Sequence, residues 1–359
     1  MSRFGAAALP PFLAAAPLLL PFAGSCPSPP LPIQPPPRSA SGRRPFPLGR
    51  ARSIRGLPLP ALLIAAGLLL TPGTAGAATV VAADGVLCDL SRTLAAGLLQ
   101  VVCLVPAGQD PHQAALRPRD RQLLAEADLV LVNGYGLTPA LGKVQGRRPQ
   151  VAVAELAVPG SPALEGGGGA RDPHVWHDPR QGAAMVRLIA ERLAPFTSQD
   201  DRLRSRSQRA AAVLNDLDAW SARQIATLPM QARVLASGHR AFRSFARRYG
   251  VRELAVIESF STAGLLRPQA LQQVSDALRA SGARRIFPER LPPIKTLRRV
   301  SQRSGVPLSP VALVADGLAP KASYVATFTA NVCTFVTGQG GRCDRAGGQR
   351  LEQRWAAIP

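Results

Sequence analysis

The chain has 359 residues and a formal charge of +21, with 43 Lys and Arg against 22 Asp and Glu. That balance would suit nucleic acid, yet 40 of the cations are Arg scattered singly, and the 17 aromatic residues build no basic stripe with interleaved rings. A nucleic-acid partner is therefore not expected, and the charge is read as a solvated surface. In chain order, the first 77 residues contain no acidic residue and include the Pro-rich stretch Pro27 to Pro58. Within them Arg50, Arg52 and Arg55 precede the apolar run Leu57 to Leu70, too short to span a bilayer comfortably, and Ala75-Gly76-Ala77 forms an A-x-A cleavage site. Export to the periplasm is expected, with residues 1–77 as extension and signal peptide, cleaved after Ala77. A start codon set too far upstream is the simplest account of the leading segment. Leu18 to Ser25 before Cys26 loosely resembles a lipoprotein signal, but that alternative leaves the second apolar run without a role.

About 280 residues then remain, the size of two ordinary lobes. Val80 to Ala83, Val101 to Val105, Leu129 to Val132 and Val151 to Ala154 are apolar runs of strand length, separated by segments of helical spacing such as Asp120 to Ala127. The alternation predicts a parallel sheet covered by helices over residues 78–197. Residues 198–229 carry the most helical pattern: Ser198 and Asp201 suggest a capping box, and Leu203, Ala210, Val213, Leu214, Leu217 and Trp220 recur at helical spacing until Pro229. A single stiff helix over Asp200 to Leu228, roughly 40 Å long, is expected to join the lobes. Residues 230–359 form the second lobe, with strands at Val234 to Ala236, Leu254 to Ile257, Arg285 to Phe287 and Leu308 to Val314, and helices at Pro268 to Ala280 and Pro293 to Ser304. The fold class is thus α/β, two parallel-sheet lobes joined by one long rigid helix. Gly160 to Ala170, with four consecutive glycines at Gly166 to Gly169, reads as a disordered surface loop, since it lacks the G-x-G-x-x-G spacing of a phosphate cradle.

Four cysteines follow the expected cleavage point, Cys88, Cys103, Cys333 and Cys343, an even count that favours disulfides in an exported chain. Local pairing, Cys88 with Cys103 and Cys333 with Cys343, is preferred among the possible connectivities. None shows the C-x-x-C spacing of a zinc site.

Only four histidines occur, and three of them stand where strand-to-helix loops should lie. Two belong to the same tripeptide, Asp110-Pro111-His112 and Asp172-Pro173-His174; His239 follows the strand ending at Ala236, and Asp316 follows the strand ending at Val314. In an open α/β sheet ligands bind beyond the carboxyl ends of the strands, which is where all four would sit. Three imidazoles and one carboxylate make a tetrahedral set suited to Zn2+, and less well to manganese or ferrous iron. Proline after each aspartate holds it extended and fixes how the loop presents the ring. Glu258 and Glu289, at the lip of the second lobe, are candidates to bond the outer nitrogen of a ligating histidine, with Glu289 preferred, and ordinary ion pairs with the abundant arginines are the equal alternative. His177, three residues from His174 on a tight loop, is expected to point to solvent; a fifth ligand is the alternative.

These residues also carry a family resemblance. Gly108-Gln109-Asp110-Pro111-His112 with Pro118 and Asp120, and Ala127-Asp128-Leu129-Val130-Leu131-Val132-Asn133-Gly134, resemble the first ligand region of the zinc/manganese solute-binding proteins of ABC transporters. Asp172-Pro173-His174-Val175-Trp176-His177-Asp178-Pro179 is similar to the second ligand motif, Ser237-Gly238-His239-Arg240-Ala241-Phe242 to the third, and Ala315-Asp316-Gly317-Leu318 to the fourth. The resemblance covers nearly everything from Thr79 to Gly338. It implies metal held in the interlobe cleft by His112, His174, His239 and Asp316, delivery to a membrane permease with its ATPase, and no enzymatic activity; a monomer is expected. His239 implies zinc, because manganese-type members tend to carry Glu at that position. Zinc hydrolase and surface adhesin are the readings from other classes, and no H-E-x-x-H pairing supports the first. Three departures stand out: no histidine-rich loop between the first two motifs, Ala114 and Leu116 where Tyr and Pro are common, and His177 where an aliphatic or small residue is usual.

Overall fold

The computed structural model describes residues 77–143, 150–163, 168–263, 266 and 268–359. The expected export signal, the Pro-rich stretch, Cys26 and part of the glycine run lie outside the described residues. The first lobe opens with β1 (Thr79–Ala82), followed by α1 (Gly85–Ala95), β2 (Gln100–Cys103), α2 (Pro118–Glu126), β3 (Leu129–Val132), β4 (Gln150–Ala152), α3 (Val153–Ala157) and α4 (Pro179–Leu193). Its strands are all parallel in the order β2-β1-β3-β4. Period-two alternation sorts each strand between two faces: Val80 and Ala82 enter one core, while Val81 and Ala83 pack with Leu104, Leu124 and Val130 in another. Asp84 starts α1 by accepting from the Leu87 main-chain N–H at 3.0 Å.

The connecting helix α5 (Asp200–Ala226) contains 27 residues, hence about 40 Å. Its expected capping box does not form: Gln199 is the cap residue and makes no side-chain capping hydrogen bond. Asp200 and Asp201 in the first turn instead place negative charge against the positive end of the helix dipole. The second lobe holds β5 (Val234–His239), α6 (Arg243–Tyr249), β6 (Arg252–Ile257), α7 (Pro268–Arg279), β7 (Ile286–Phe287), α8 (Lys295–Ser304), α9 (Tyr324–Gly338) and α10 (Arg345–Ala356). Its sheet is parallel in the order β6-β5-β7. Among the described residues no helix is long and apolar enough to cross a membrane.

Two expected strands are shorter than their apolar runs. Val153 and Ala154 begin α3, with the Ala154 N–H turned to the Asn133 carbonyl at 2.8 Å. Of Leu308 to Val314 only Leu308 pairs, as a single bridge to Ile286. Pro310 has no N–H for a ladder, and the Asn331 amide takes both main-chain groups of Val314, at 2.9 and 2.7 Å. That segment is free to turn toward the cleft. The disulfides are Cys88 with Cys103, tying α1 to β2, and Cys333 with Cys343, tying α9 to the approach to α10.

One hydrophobic core runs through both lobes, from Val80 and Leu131 through Leu214 and Leu217 of α5 to Leu235, Phe245 and Phe335. Asp218 of α5 reinforces it by accepting from Arg180 of the first lobe at 3.2 Å and from Arg248 and Tyr249 of the second at 2.7 and 3.1 Å. Independent swinging of the lobes would have to break this packing.

Candidate metal centre

His112 lies on a single 3-10 turn, Pro111–Gln113, whose cap Asp110 is extended and accepts from the His112 N–H at 2.8 Å. His174 caps another such turn, Val175–His177, just before α4. Asp172 accepts from the His174 N–H at 2.9 Å and pairs with its ring Nδ1 at 2.8 Å, and the Asn133 amide donates to the Pro173 carbonyl at 2.9 Å. The end of β3 thereby positions the second turn. His239 is the last residue of β5 and not a loop residue. Glu289 accepts from the Gly238 and His239 N–H groups at 2.9 and 3.0 Å through one oxygen, and meets His239 Nδ1 at 2.9 Å through the other. A Cβ at position 238 would come within 2.8 Å of that carboxylate, so glycine is required for the approach. Asp316 precedes Gly317, whose φ of +88° turns the chain back toward α9.

The four expected ligand residues converge. Asp316 Oδ1 lies 3.1 Å from His112 Nε2, 3.0 Å from His174 Nε2 and 3.3 Å from His239 Nε2. The two Nε2 atoms of His112 and His174 are 3.2 Å apart, and one ligand atom from each of the four residues falls within 4.8 Å of the others. All four side chains are buried, the most exposed being Asp316 at 8%. A tetrahedral zinc with bonds of 2.0–2.1 Å has ligand-to-ligand edges of about 3.3 Å, so the spacing fits that ion.

Electrostatics point the same way. With Nδ1–H donated to Asp172 and Glu289, the Nε2 lone pairs of His174 and His239 face the centre, where they meet a carboxylate oxygen. His239 Nε2 has no hydrogen-bond partner among the described residues. Lone pairs so placed repel one another unless a cation lies between them. Burial disfavours a charged imidazole, but bonds and charges from Asp172 and Asp316 raise the His174 pKa to about 8. His239 is likewise raised, against burial, by Glu289 and Asp316. Burial alone would lift Asp316, but when His174 and His239 are protonated in the metal-free centre, the His239 charge and the hydrogen bonds from His112 and His174 hold it well below the usual carboxylate range.

One expectation about a neighbouring residue fails. His177 does not point to solvent: it is 3% exposed, and its Nε2 donates to the Ala315 carbonyl at 2.8 Å, so it is not a ligand either. The small neutral ring, its N–H bonded, fits an aromatic niche beside Phe242, which the tight-loop argument overlooked. Of the two carboxylates at the lip of the second lobe, Glu289 meets a ligand histidine while Glu258 takes the ion-pair alternative with Arg240, at 2.7 Å to its Nε, because β6 carries it outward to an exposed position. Sequence reasoning missed Asp172 as the partner of a ligand ring; the signal was present in the repeated Asp-Pro-His. A cavity of about 410 Å³, lined in part by Asp110, Gln113, Thr262, His239 and Asp316, adjoins the cluster.

The model of the family described as zinc-uptake complex component A, periplasmic, matches residues 80–338. The chain belongs to that family. It is 30% identical over 274 residues to the zinc-binding protein TroA of Treponema pallidum, covering 73% of this chain and 88% of the relative. It is 28% identical over 267 residues to the manganese-binding lipoprotein MntA of Halalkalibacterium halodurans, covering 72% and 87%. The solved structure of the periplasmic zinc-binding protein TroA from Treponema pallidum superposes with a TM-score of 0.69 at 28% identity, covering 74% of this chain and 100% of that one. The Fe(III)-bound YtgA of Chlamydia trachomatis shares the fold, with a TM-score of 0.68 at 24% identity over 74% of this chain and 99% of that one. Members of the family are substrate-binding proteins, not enzymes, and this chain is a metal-binding substrate-binding protein of the ABC-transporter type.

Proposed function

We propose that this protein captures Zn2+ in the periplasm through His112, His174, His239 and Asp316, and delivers it as a monomer to the permease and ATPase subunits of an uptake transporter. The observation that carries the reading is the convergence of three imidazole nitrogens on one carboxylate oxygen, each 3.0–3.3 Å from it, with all four ligand atoms within 4.8 Å of one another. The donor chemistry supports zinc: three nitrogens and one oxygen in a tetrahedral arrangement suit a borderline ion better than the oxygen-rich spheres favoured by manganese. Four protein ligands fill the sphere, which suits carriage and leaves no open position for a metal-bound water. His112 and His174 belong to one lobe and His239 and Asp316 to the other, so the ion staples the cleft. Because the lobes share a core, release proceeds by displacing a ligand loop and not by wide opening.

Manganese is the second reading, supported by the relatives named for it, MntA and the streptococcal PsaA proteins. Competition titration against a chromophoric chelator separates the two. The expected result is zinc bound far more tightly than manganese, with zinc affinity lost in His112→Ala and His239→Ala. Wild-type affinity in both variants would overturn the assignment, and tighter manganese would reverse the preference.

A further inference from the structure

We propose that His177 is a positioning residue for the fourth metal ligand, locking the Asp316 loop of the second lobe onto the ligand turn of the first through the Ala315 carbonyl. The inference rests on Asp316 being a ligand. Nε2 of His177 lies 2.8 Å from the Ala315 oxygen, and a carbonyl only accepts, so this nitrogen carries the proton. The ring is buried against Phe242, with centroids 4.6 Å apart, in a niche completed by Leu235, Phe245, Leu313 and Phe328. Burial keeps it neutral, with the pKa pushed down to about 4. An imidazole among such neighbours is unfavourable unless its N–H is bonded. Its partner here is the residue immediately before Asp316.

The Asp316 loop has no strand ladder to hold it, since pairing stops at Leu308. Its own lobe secures Leu313, whose N–H donates to the Pro288 carbonyl at 2.9 Å, and Val314, through Asn331 at 2.9 and 2.7 Å. Beyond that point its own lobe returns at Ala319, whose N–H donates to the Thr327 hydroxyl at 3.1 Å, while the main-chain ties flanking Asp316 come from the first lobe: His177 to the Ala315 carbonyl, and the Gly108 N–H to the Leu318 carbonyl at 2.7 Å. Asp316 lies between these two. His177 also sits on the turn that begins at His174, so one short segment supplies a ligand and fixes the loop carrying another. Preorganising Asp316 in this way raises affinity, because the carboxylate need not be ordered when the ion arrives.

The test is zinc competition against a chromophoric chelator, with stopped-flow release, on mature wild-type protein and on His177→Leu, His177→Gln, Asp316→Ala and the His177→Leu/Asp316→Ala double variant. Leucine removes the donor, and affinity should fall about tenfold with faster release, the scale of one buried hydrogen bond. Glutamine keeps an N–H donor and should stay within about threefold of wild type. In the Asp316→Ala background leucine should cost nothing further, because the ligand being positioned is gone. Unchanged affinity in His177→Leu, equal losses for leucine and glutamine, or the same loss with Asp316 absent would each overturn the inference. Wild-type zinc affinity in Asp316→Ala would instead overturn the ligand assignment beneath it. Should the leucine variant not fold, nitrogen-15 NMR of the zinc-loaded wild type decides: a slowly exchanging Nε2 proton on His177 is expected, and its absence refutes the tie.

Discussion

Asp110 and Asp172 each stand two residues before a histidine of the centre, and each accepts that histidine's main-chain N–H, at 2.8 and 2.9 Å. Beyond the shared cap the two turns diverge. Asp172 is fully buried, and the oxygen that caps also meets Nδ1 of His174, so one carboxylate fixes both backbone and ring. Asp110 is half-buried at the cleft mouth, and its second oxygen crosses to the other lobe, accepting from the Thr262 hydroxyl at 2.7 Å and from the Gln113 amide at 3.0 Å. Gln113 also donates to Thr262 at 3.0 Å, closing a polar clasp between the lobes. Identical tripeptides thus serve as an immobile anchor in one place and as a solvent-accessible fastening in the other. Burial, not motif, decides which. The ion is expected to leave by the Asp110 side, where hydrogen bonds can be exchanged with water at little cost.

The largest effect expected from this comparison is in Asp172→Asn. It removes the charge that holds the His174 ring, and zinc affinity should drop by roughly 10- to 100-fold, the usual consequence of losing a ligand's supporting carboxylate. An Asp172→Asn variant no weaker than Asp110→Asn would erase the distinction between the turns.

The raised His174 pKa gives a pH dependence of definite sign. Its folded value is about 8 against 6.5 for a free imidazole, so in the metal-free protein the protonated ring contributes stability that is complete below about 6.5 and lost as pH rises through 8. The size is at most about 2 kcal/mol for the shift. Zinc competes with that proton, so metal affinity should run oppositely, rising over the same interval. Thermal unfolding and chelator competition between pH 6 and 9, on apo and zinc-loaded protein, should show the opposed slopes; parallel slopes would remove His174 from the centre.

Smaller effects belong to the clasp. Asp110→Asn should change zinc affinity by less than about threefold, as expected for an exposed interaction, while accelerating release to a chelator. Thr262→Val should do the same to a lesser degree, because Gln113 keeps its bond to Asp110. Slower release in either variant would mean that the clasp is not on the exit path.

The strands that carry the sites were legible because parallel strands buried on both faces leave continuous apolar runs, as at Leu129 to Val132. The ligands were legible because histidine is scarce here and three of the four lie in or beside segments that join strands to helices. What the sequence pattern hid was burial. Nothing local distinguishes Asp110 from Asp172, and the difference arises only when β3 brings Asn133 against Pro173. His177 was misread for the same reason, since its niche is built from Phe242 and Phe328, remote in the chain. The run Leu308 to Val314 satisfied the strand pattern, yet Asn331 competes for its main-chain groups from α9.

X-ray absorption at the zinc edge of the loaded protein tests the central claim most directly. The account predicts four light scatterers at 2.0–2.1 Å, three of them showing imidazole multiple scattering, with one imidazole lost in His239→Ala. A sulfur shell, fewer than three imidazoles in the wild type, or a spectrum unchanged in His239→Ala would contradict it.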